Sequence, residues 1–348
     1  MRTLRRALLI AVFLAAAGAA AGLIVLRGLR SLDAPLEVRA PLRFKVAPGS
    51  RFTRVAAELG SRGIVEQPRT WVLYARWKGL ASAIKAGEYE IDPGMTARSL
   101  LEKMVSGQVV LHSFTIVDGW RAEDMLAALR RDPEISAAPE GSAEGLQDLM
   151  SKLGAPGLDP EGQFLPETYR FTEGTPELEI LRQAHVALVH ELESDWAARD
   201  PTLTLKNSAE LLTVASIVQK ESGLPQELPK IAGLYLHRLR IGMRLQADPT
   251  VIYGLGERYD GQLHSVDLHT DGPYNTYVRA GLPPTPIALA GAAAIRATAH
   301  PENTDALYFV ASPKDDGSHI FSATLEEQNA AVARYVAHLR GKAAEAGK

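Results

Sequence analysis

Residues 206–223 read KNSAELLTVASIVQKESG, and this segment carries the signals of a helix with a defined beginning and end. Asn207 is a favoured N-cap residue, and Glu210, three positions later, completes a capping-box arrangement. Gly223 is a residue type at which helices commonly stop. We therefore predict a helix that starts after Asn207 and is ended by Gly223.

Glu221 lies in the last turn of this predicted helix. Val214, Ile217 and Val218 precede it by seven, four and three positions, so helical geometry places its carboxyl group on the apolar face. Desolvation there and the negative end of the helix dipole both raise the pKa of a carboxyl group. A glutamic acid that stays protonated near neutral pH can donate a proton to a glycosidic oxygen. The alternative is an ordinary ion pair with Lys220 or a distant arginine.

A long segment rich in glycine and proline, residues 241–286, follows further along the chain. It contains the stretches RLQADPTVIYG (residues 244–254), PYNTY (273–277) and GLPP (281–284). Amides, hydroxyls and flat rings suit a groove for a neutral polyol, because sugars present hydroxyls at their edges and also apolar faces. A glycan groove fits these residues. The alternative is that they only satisfy backbone groups of the loops.

The composition excludes several other classes of function. The chain has 348 residues, too many for one average domain, and its formal net charge of -3 offers no excess of cations to nucleic acid. It has no cysteine, which excludes disulfides and thiolate metal sites. Its nine histidines show no metal-ligand spacing, and it has no phosphate-binding glycine loop. We predict chemistry without a metal or cofactor, and no nucleic-acid partner.

The N-terminus suggests a membrane anchor. Residues 7–26 are apolar throughout and follow three arginines among residues 1–6. Such a run is long enough to cross a bilayer as a helix. We therefore predict a single-pass protein of the bacterial inner membrane, with residues 1–6 in the cytoplasm and the body in the periplasm. The alternative is a cleaved signal peptide, although the run is longer than a typical signal core.

The remaining pattern predicts two folded units. Residues 27–41 carry mixed charge and two prolines and are predicted to form a linker. Residues 42–118 alternate short strands with helices, as in a small α+β domain. Residues 119–342 begin mainly helical and end with two predicted strands and a helix, and residues 343–348 form a tail.

At the residues described above, the sequence resembles the endolytic murein transglycosylase family of YceG-like proteins. The resemblance rests on ASIVQKE (residues 215–221), RLRIGMRLQADPTVIYG (238–254), YNTY (274–277), GLPP (281–284) and AHP (299–301). It implies an α+β fold class: a transmembrane helix, a LysM-like α+β domain over residues 42–118, and a mixed α/β YceG-like catalytic domain.

The resemblance also implies roles for single residues. The essential glutamate of the family falls on Glu221, as the single catalytic acid/base. Gln219 replaces the first acidic residue of the family motif, and the helical period turns it away from Glu221, where we predict that it is solvated. The candidate sugar-contacting residues are Gln246, Tyr274, Asn275, Tyr277 and Glu167.

The implied activity is that of a lytic transglycosylase acting on the glycan strands of peptidoglycan. Such an enzyme cleaves the MurNAc-β-1,4-GlcNAc bond and leaves a 1,6-anhydro-MurNAc end, which would terminate glycan elongation. Peptidoglycan synthases or division proteins are the implied protein partners. Two alternatives stay open. A hydrolytic muramidase would need a second carboxylate, from Asp248 or Glu167. A non-catalytic glycan-binding or division scaffold would act through the LysM-like domain.

Overall fold

The computed structural model describes residues 13, 18, 19, 22, 26–136 and 145–346. The chain divides into two compact units. The first comprises the residues up to 112 together with residues 171–174, and the second comprises residues 113–170 and 175–348. Each unit mixes helices with two-stranded sheets. The predicted domain limits at residues 41, 118 and 342 stay predictions.

The first unit is built around one antiparallel pair of strands. Its elements are β1 (Leu42–Val46), α1 (Phe52–Ser61), α2 (Pro68–Trp77), β2 (Gly87–Ile91) and α3 (Ala97–Ser106). The strand register runs from Leu42 opposite Ile91 to Val46 opposite Gly87. The rings of Phe52 and Trp71 meet edge to face in the core, with their centroids 4.7 Å apart. These strands and helices alternate as predicted for the unit over residues 42–118, whose limits stay a prediction.

The segment predicted as a linker, residues 27–41, packs in part against this unit. Leu32 is 1% exposed and Leu36 is 7% exposed, and both belong to the core cluster of the unit. The guanidinium of Arg98 binds the carboxylate of Asp33, with Nε 2.7 Å from Oδ1. The segment is therefore held by burial and by an ion pair rather than extended as a tether.

The second unit is dominated by helices. From residue 112 onward the described elements are β3 (His112–Thr115), α4 (Ala122–Arg131), β4 (Ile135–Ser136), α5 (Leu146–Lys152), β5 (Thr168–Phe171), β6 (Thr175–Pro176), α6 (Glu177–Ala198), α7 (Ser208–Glu221), α8 (Leu228–Arg240), α9 (Asp248–Leu255), a 3₁₀ turn (Gly256–Arg258), α10 (Ser265–His269), α11 (Ala292–Ala299), β7 (Tyr308–Ala311), β8 (His319–Ser322) and α12 (Leu325–Ala346). The segment 241–286 is therefore partly helical.

The helix α7 is the centre of the second unit. Its residues 211–218 are all buried, and they pack with α8 and α11 in one apolar cluster. Two side-chain contacts fix the helix in place. The hydroxyl of Ser216 accepts from the backbone N–H of Ile287 at 3.0 Å, and Gln219 Oε1 accepts from the N–H of Gly291 at 3.1 Å. Gln219 thus binds the start of α11, which corrects the prediction that it is merely solvated.

The prediction of a membrane-spanning helix over residues 7–26 is corrected. Within the described residues, no helix combines the length and the apolar character needed to cross a bilayer. Residues 7–26 themselves lie almost entirely outside the described part of the chain. The predicted fold class is corrected to a mixed α/β fold, in which the described residues include no spanning helix. The predicted single-pass location in the inner membrane is corrected on the same finding, which concerns the described residues only.

Candidate active site

The beginning of α7 shows why the helix starts where it does. Asn207 Oδ1 accepts from the backbone N–H of Glu210 at 2.9 Å, which confirms the predicted N-cap. The carboxylate of Glu210 accepts from the N–H of Lys206 at 2.8 Å, one residue before the N-cap. The capping box is therefore incomplete, although both side chains still satisfy backbone donors at the helix entrance.

The end of α7 differs from the prediction. The helix ends at Glu221, because Ser222 has an extended backbone with φ -145° and ψ 138°. Gly223 therefore lies beyond the helix end, and Ser222 breaks the helix. As a result, Glu221 is the last helical residue, with its side chain directed toward a cavity.

The cavity at Glu221 has a volume of about 250 Å³. Its lining residues come from α7, α8, the start of α9, the segment after α10, β7 and α12. They are Glu221, Tyr235, Arg238, Gln246, Asp248, Tyr277, Tyr308, Phe309 and Gln328. Four larger pockets, of about 320 to 850 Å³, lie elsewhere in the two units. We place the candidate site at the smaller cavity because it gathers two carboxyl groups, three tyrosines and two amides.

The surroundings of Glu221 set its protonation state. Burial raises the pKa of Glu221 from its ordinary value of 4.5 to about 7. The hydrogen bond from Tyr235 lowers the pKa, the negative charge of Asp248 raises it, and the positive charge of Arg238 lowers it. Because burial outweighs the other contributions, the protonated and ionised forms are both populated near neutral pH. The direction of the shift agrees with the prediction from the sequence.

Tyr235 on α8 holds the Glu221 carboxyl group. Its hydroxyl donates to Oε1 of Glu221, and its ring is 1% exposed. A buried ring with one polar end fixes the orientation of its acceptor, because the ring itself cannot rotate into water. The sequence analysis did not identify Tyr235, since a tyrosine on an apolar helix face is an ordinary core residue.

Arg238 connects two loops to α8. Its Nε donates to the carbonyl of Leu307 at 2.7 Å, and its Nη1 donates to the carbonyl of Leu245. These carbonyls belong to the residues immediately before Tyr308 and Gln246, which both line the cavity. Arg238 is 6% exposed, so its guanidinium makes these contacts inside the fold. It therefore fixes two loops that each carry a residue of the cavity lining.

Two of the predicted sugar-contacting residues lie in the cavity, Gln246 and Tyr277. Gln246 has a left-handed backbone with φ +50°, a strained conformation for a residue with a side chain. Its N–H donates to the carbonyl of Thr276 at 3.2 Å. The hydroxyl of Tyr277 donates to Asp248 Oδ1 at 2.5 Å. The structure thus brings these side chains next to Glu221, while their contact with a sugar stays a prediction.

The other three predicted contacts lie outside this cavity. The hydroxyl of Tyr274 pairs with that of Thr285 at 2.8 Å. Asn275 is 5% exposed and donates from Nδ2 to the carbonyls of Asp267 at 2.9 Å, Leu268 at 3.4 Å and Thr270 at 2.7 Å. Asn275 therefore braces the loop that carries Tyr277.

Glu167 is exposed and is also absent from the cavity lining. Its backbone carbonyl accepts from the N–H of Ile116 at 3.0 Å, next to the pairing of β3 with β5. Asp248, by contrast, lies in the cavity with Glu221. Of the two carboxylates considered for a second catalytic role, the structure brings only Asp248 to the candidate site.

The C-terminal part of the chain supplies a wall of the cavity that the sequence analysis missed. Phe309 on β7 meets the ring of Tyr235 at right angles, with centroids 6.3 Å apart. Gln328 on α12 donates from Nε2 to the carbonyl of Phe309 at 3.0 Å. The predicted strand and helix in this region were the available signal, but no chemical motif marks these side chains.

The candidate site combines one carboxyl group whose pKa is near neutral with a second carboxylate in a polar cavity. The sequence profile of the YceG-like family matches residues 44–334, and the chain belongs to this family.

Three relatives are informative. The endolytic murein transglycosylase of Bacillus subtilis (strain 168) is 29% identical over 88% of this chain and 89% of its own length. That of Streptococcus pneumoniae serotype 2 (strain D39) is 27% identical over 84% of this chain and 58% of its own length. A crystallised yceG-like protein of Listeria monocytogenes is 26% identical over 84% of this chain and 99% of its own, with a TM-score of 0.48. The LysM-like character predicted for residues 42–118 receives no support from these relatives.

Proposed function

We propose that this chain is an endolytic murein transglycosylase, a lyase that cuts within the glycan strands of peptidoglycan. Membership of the YceG-like family and the similarity to the Bacillus subtilis enzyme support this proposal. The observation that carries it is the carboxyl group of Glu221, whose pKa lies at about 7 in a cavity lined by polar side chains. A group that titrates near neutral pH can give and take back a proton within one catalytic cycle.

In this proposal Glu221 performs both proton transfers. Its protonated carboxyl group first donates to the oxygen of the MurNAc-β-1,4-GlcNAc bond, so that the GlcNAc hydroxyl leaves. The resulting carboxylate then removes the proton from the C6 hydroxyl of MurNAc as that oxygen attacks the anomeric carbon. The product carries a 1,6-anhydro-MurNAc end, and Glu221 is protonated again. No water is consumed, so a second carboxylate is not required for the chemistry.

The surrounding residues support these steps. Tyr235 donates to Glu221 Oε1 and orients the carboxyl group toward the cavity. Asp248, held by Tyr277, places a negative charge where positive charge develops at the sugar ring in the transition state. Gln246 and Tyr277 provide an amide and a hydroxyl at which the sugar hydroxyls bind. Cutting of growing strands by this reaction would terminate their elongation, and synthases or division proteins would then be its partners.

A hydrolytic muramidase is the second candidate, because Asp248 lines the same cavity as Glu221. In that mechanism Asp248 would activate water or form a covalent intermediate, and the products would carry reducing MurNAc ends. The lyase is favoured because both of its proton transfers need only Glu221 and because the relatives are named transglycosylases.

The ends of the products test the proposal. Purified glycan strands are digested with the wild-type chain, with Glu221→Gln and with Glu161→Gln, and the fragments are analysed by mass spectrometry. We expect anhydro ends from the wild type and from Glu161→Gln, and no fragments from Glu221→Gln. If the wild type instead released reducing ends, the muramidase assignment would replace the lyase assignment. Fragments at the wild-type rate from Glu221→Gln would overturn the assignment of the catalytic acid.

A further inference from the structure

The turn between Glu221 and α8 is held by a carboxylate and an imidazole that no motif in the sequence marks. Glu227 Oε1 accepts from the backbone N–H of His319 at 2.8 Å. Its Oε2 lies 2.7 Å from His319 Nδ1 and 3.3 Å from the hydroxyl of Ser222. The side chains of Glu227 and His319 are 12% and 14% exposed, so water competes little for these contacts.

The order of these contacts excludes a nucleophilic triad. In a triad the serine hydroxyl donates to the imidazole, and the imidazole donates to the carboxylate. Here the hydroxyl of Ser222 donates to Glu227 directly, and the same oxygen accepts from the N–H of Leu224 at 3.1 Å. The hydroxyl of Ser222 is therefore used to fix the turn and does not serve as a nucleophile.

Glu227 and His319 are linked to Glu221 by two chains of contacts. The first is the backbone, because Ser222 follows Glu221 directly and is bound to Glu227. The second passes through aromatic rings. His319 meets Phe309 edge to face with centroids 5.3 Å apart, and Phe309 meets Tyr235 in the same manner at 6.3 Å. The hydroxyl of Tyr235 donates to Glu221.

We propose that Glu227 and His319 are positioning residues that hold Glu221 in its catalytic orientation. The proposal rests on the proposed catalytic role of Glu221. Neither residue lines the cavity, so neither touches the reacting atoms. Their contacts instead fix both the backbone on the C-terminal side of Glu221 and the packing of its hydrogen-bond donor. A displacement of a catalytic group by about 1 Å lowers a rate by on the order of 100-fold. Contacts that keep Glu221 in place are therefore important for turnover.

Three variants and one matched control test this proposal. His319→Leu and Glu227→Gln disrupt the contact between the two side chains, whereas His319→Asn retains an N–H donor near the position of Nδ1. The control is His338→Leu, which breaks another histidine–carboxylate contact in the same unit, 3.0 Å from His338 Nε2 to Asp315 Oδ2, outside the cavity lining. For each protein, kcat, KM, the pH dependence of kcat and the melting temperature are measured on purified glycan.

We expect His319→Leu and Glu227→Gln to lower kcat by about 10- to 100-fold with KM within about twofold of the wild type. We also expect the alkaline limb of the pH profile of kcat to shift, because Glu221 titrates in altered surroundings. His319→Asn retains most of the activity, and His338→Leu retains all of it. Wild-type kcat and pH profiles in folded His319→Leu and Glu227→Gln, with only the melting temperature lowered, would overturn the positioning role.

The Glu221→Gln variant separates this inference from the proposed function. If Glu221→Gln is inactive while His319→Leu and Glu227→Gln behave as the wild type, the inference fails and the proposed function stands. If Glu221→Gln keeps wild-type activity, the proposed function fails first and the inference fails with it. Circular dichroism establishes which variants fold. If His319→Leu does not fold, the comparison of Glu227→Gln with His338→Leu decides whether the inference holds.

Discussion

Two glutamates of the second unit have similarly raised pKa values but differ in what surrounds them. Burial raises the pKa of Glu221 and that of Glu161 from 4.5 to about 7. Glu161 is 4% exposed, and its Oε1 accepts from the N–H of Ala122 at 3.1 Å, in the first turn of α4. Glu221 is partly exposed at a cavity of about 250 Å³.

The comparison shows that a raised pKa does not by itself identify a catalytic acid. The carboxyl group of Glu161 accepts hydrogen bonds from the N-terminus of α4 and from Tyr253. The positive charge of Arg121 lies nearby. Such a group satisfies backbone N–H groups at a helix start, while burial still disfavours its charged form. In Glu221 one oxygen is bound by Tyr235, and the group borders open space. Access to a substrate, rather than titration, separates the two.

The largest expected effect separates the two carboxyl groups directly. Glu221→Gln should lower turnover by about 10²- to 10⁴-fold, because the general acid is removed. Glu161→Gln should leave turnover within about twofold of the wild type, since the glutamine carbonyl can still accept from the backbone. Rates of fragment release from purified glycan measure both. Equal losses in the two variants would show that buried carboxyl groups act here through stability alone.

The next effect concerns the donor to Glu221. Tyr235→Phe should lower turnover by about 10- to 100-fold, because the carboxyl group loses its fixed partner. The hydrogen bond from Tyr235 lowers the pKa of Glu221, so its removal raises that pKa. The protonated acid then persists to higher pH, and the alkaline limb of the pH profile moves upward. A profile that moves downward would contradict this assignment.

Stability provides a third comparison. Both glutamates have folded-state pKa values of about 7, above the ordinary 4.5, so the folded chain binds more protons than the unfolded chain between these values. Stability therefore falls as pH rises through that window. Glu221→Gln should consequently be more stable than the wild type at about pH 8, by about 3 kcal/mol, and equally stable at about pH 4. Urea unfolding at both pH values measures this difference.

The smallest effect distinguishes the two candidate reactions. Asp248→Asn removes a negative charge that raises the pKa of Glu221, so the alkaline limb should move to lower pH. In the lyase we expect turnover to fall by less than about tenfold, since a charge is lost but no reacting group. A loss of about 100-fold or more, together with reducing ends, would favour the hydrolytic mechanism instead.

Much of the local structure follows from the sequence. The N-cap at Asn207, the buried face of α7 and the bounds of α8 are each set by residues within a few positions along the chain. The same holds for β2, in which buried and half-buried residues alternate. The helix end was misjudged because Ser222, bound to a carboxylate five residues later, competes with the glycine signal.

The candidate site could be predicted only in part. Glu221 is marked by its place on an apolar helix face. Its partner Tyr235 and the wall formed by Phe309 and Gln328 are brought to it by tertiary packing, for which no spacing rule exists. Asn275 was chosen for its amide, yet that amide is consumed by three backbone carbonyls. Burial of this kind cannot be read from residue type.

The most direct test of the account is the titration of the two carboxyl groups in the presence and absence of glycan. Glutamate side chains labelled with ¹³C are followed by NMR from acidic to alkaline pH and assigned with Glu221→Gln and Glu161→Gln. We expect both groups to titrate at about 7, and only that of Glu221 to shift when a glycan fragment is added. A Glu221 carboxyl group that titrates near 4.5, or that ignores the fragment while Glu161 responds, would contradict the central claim.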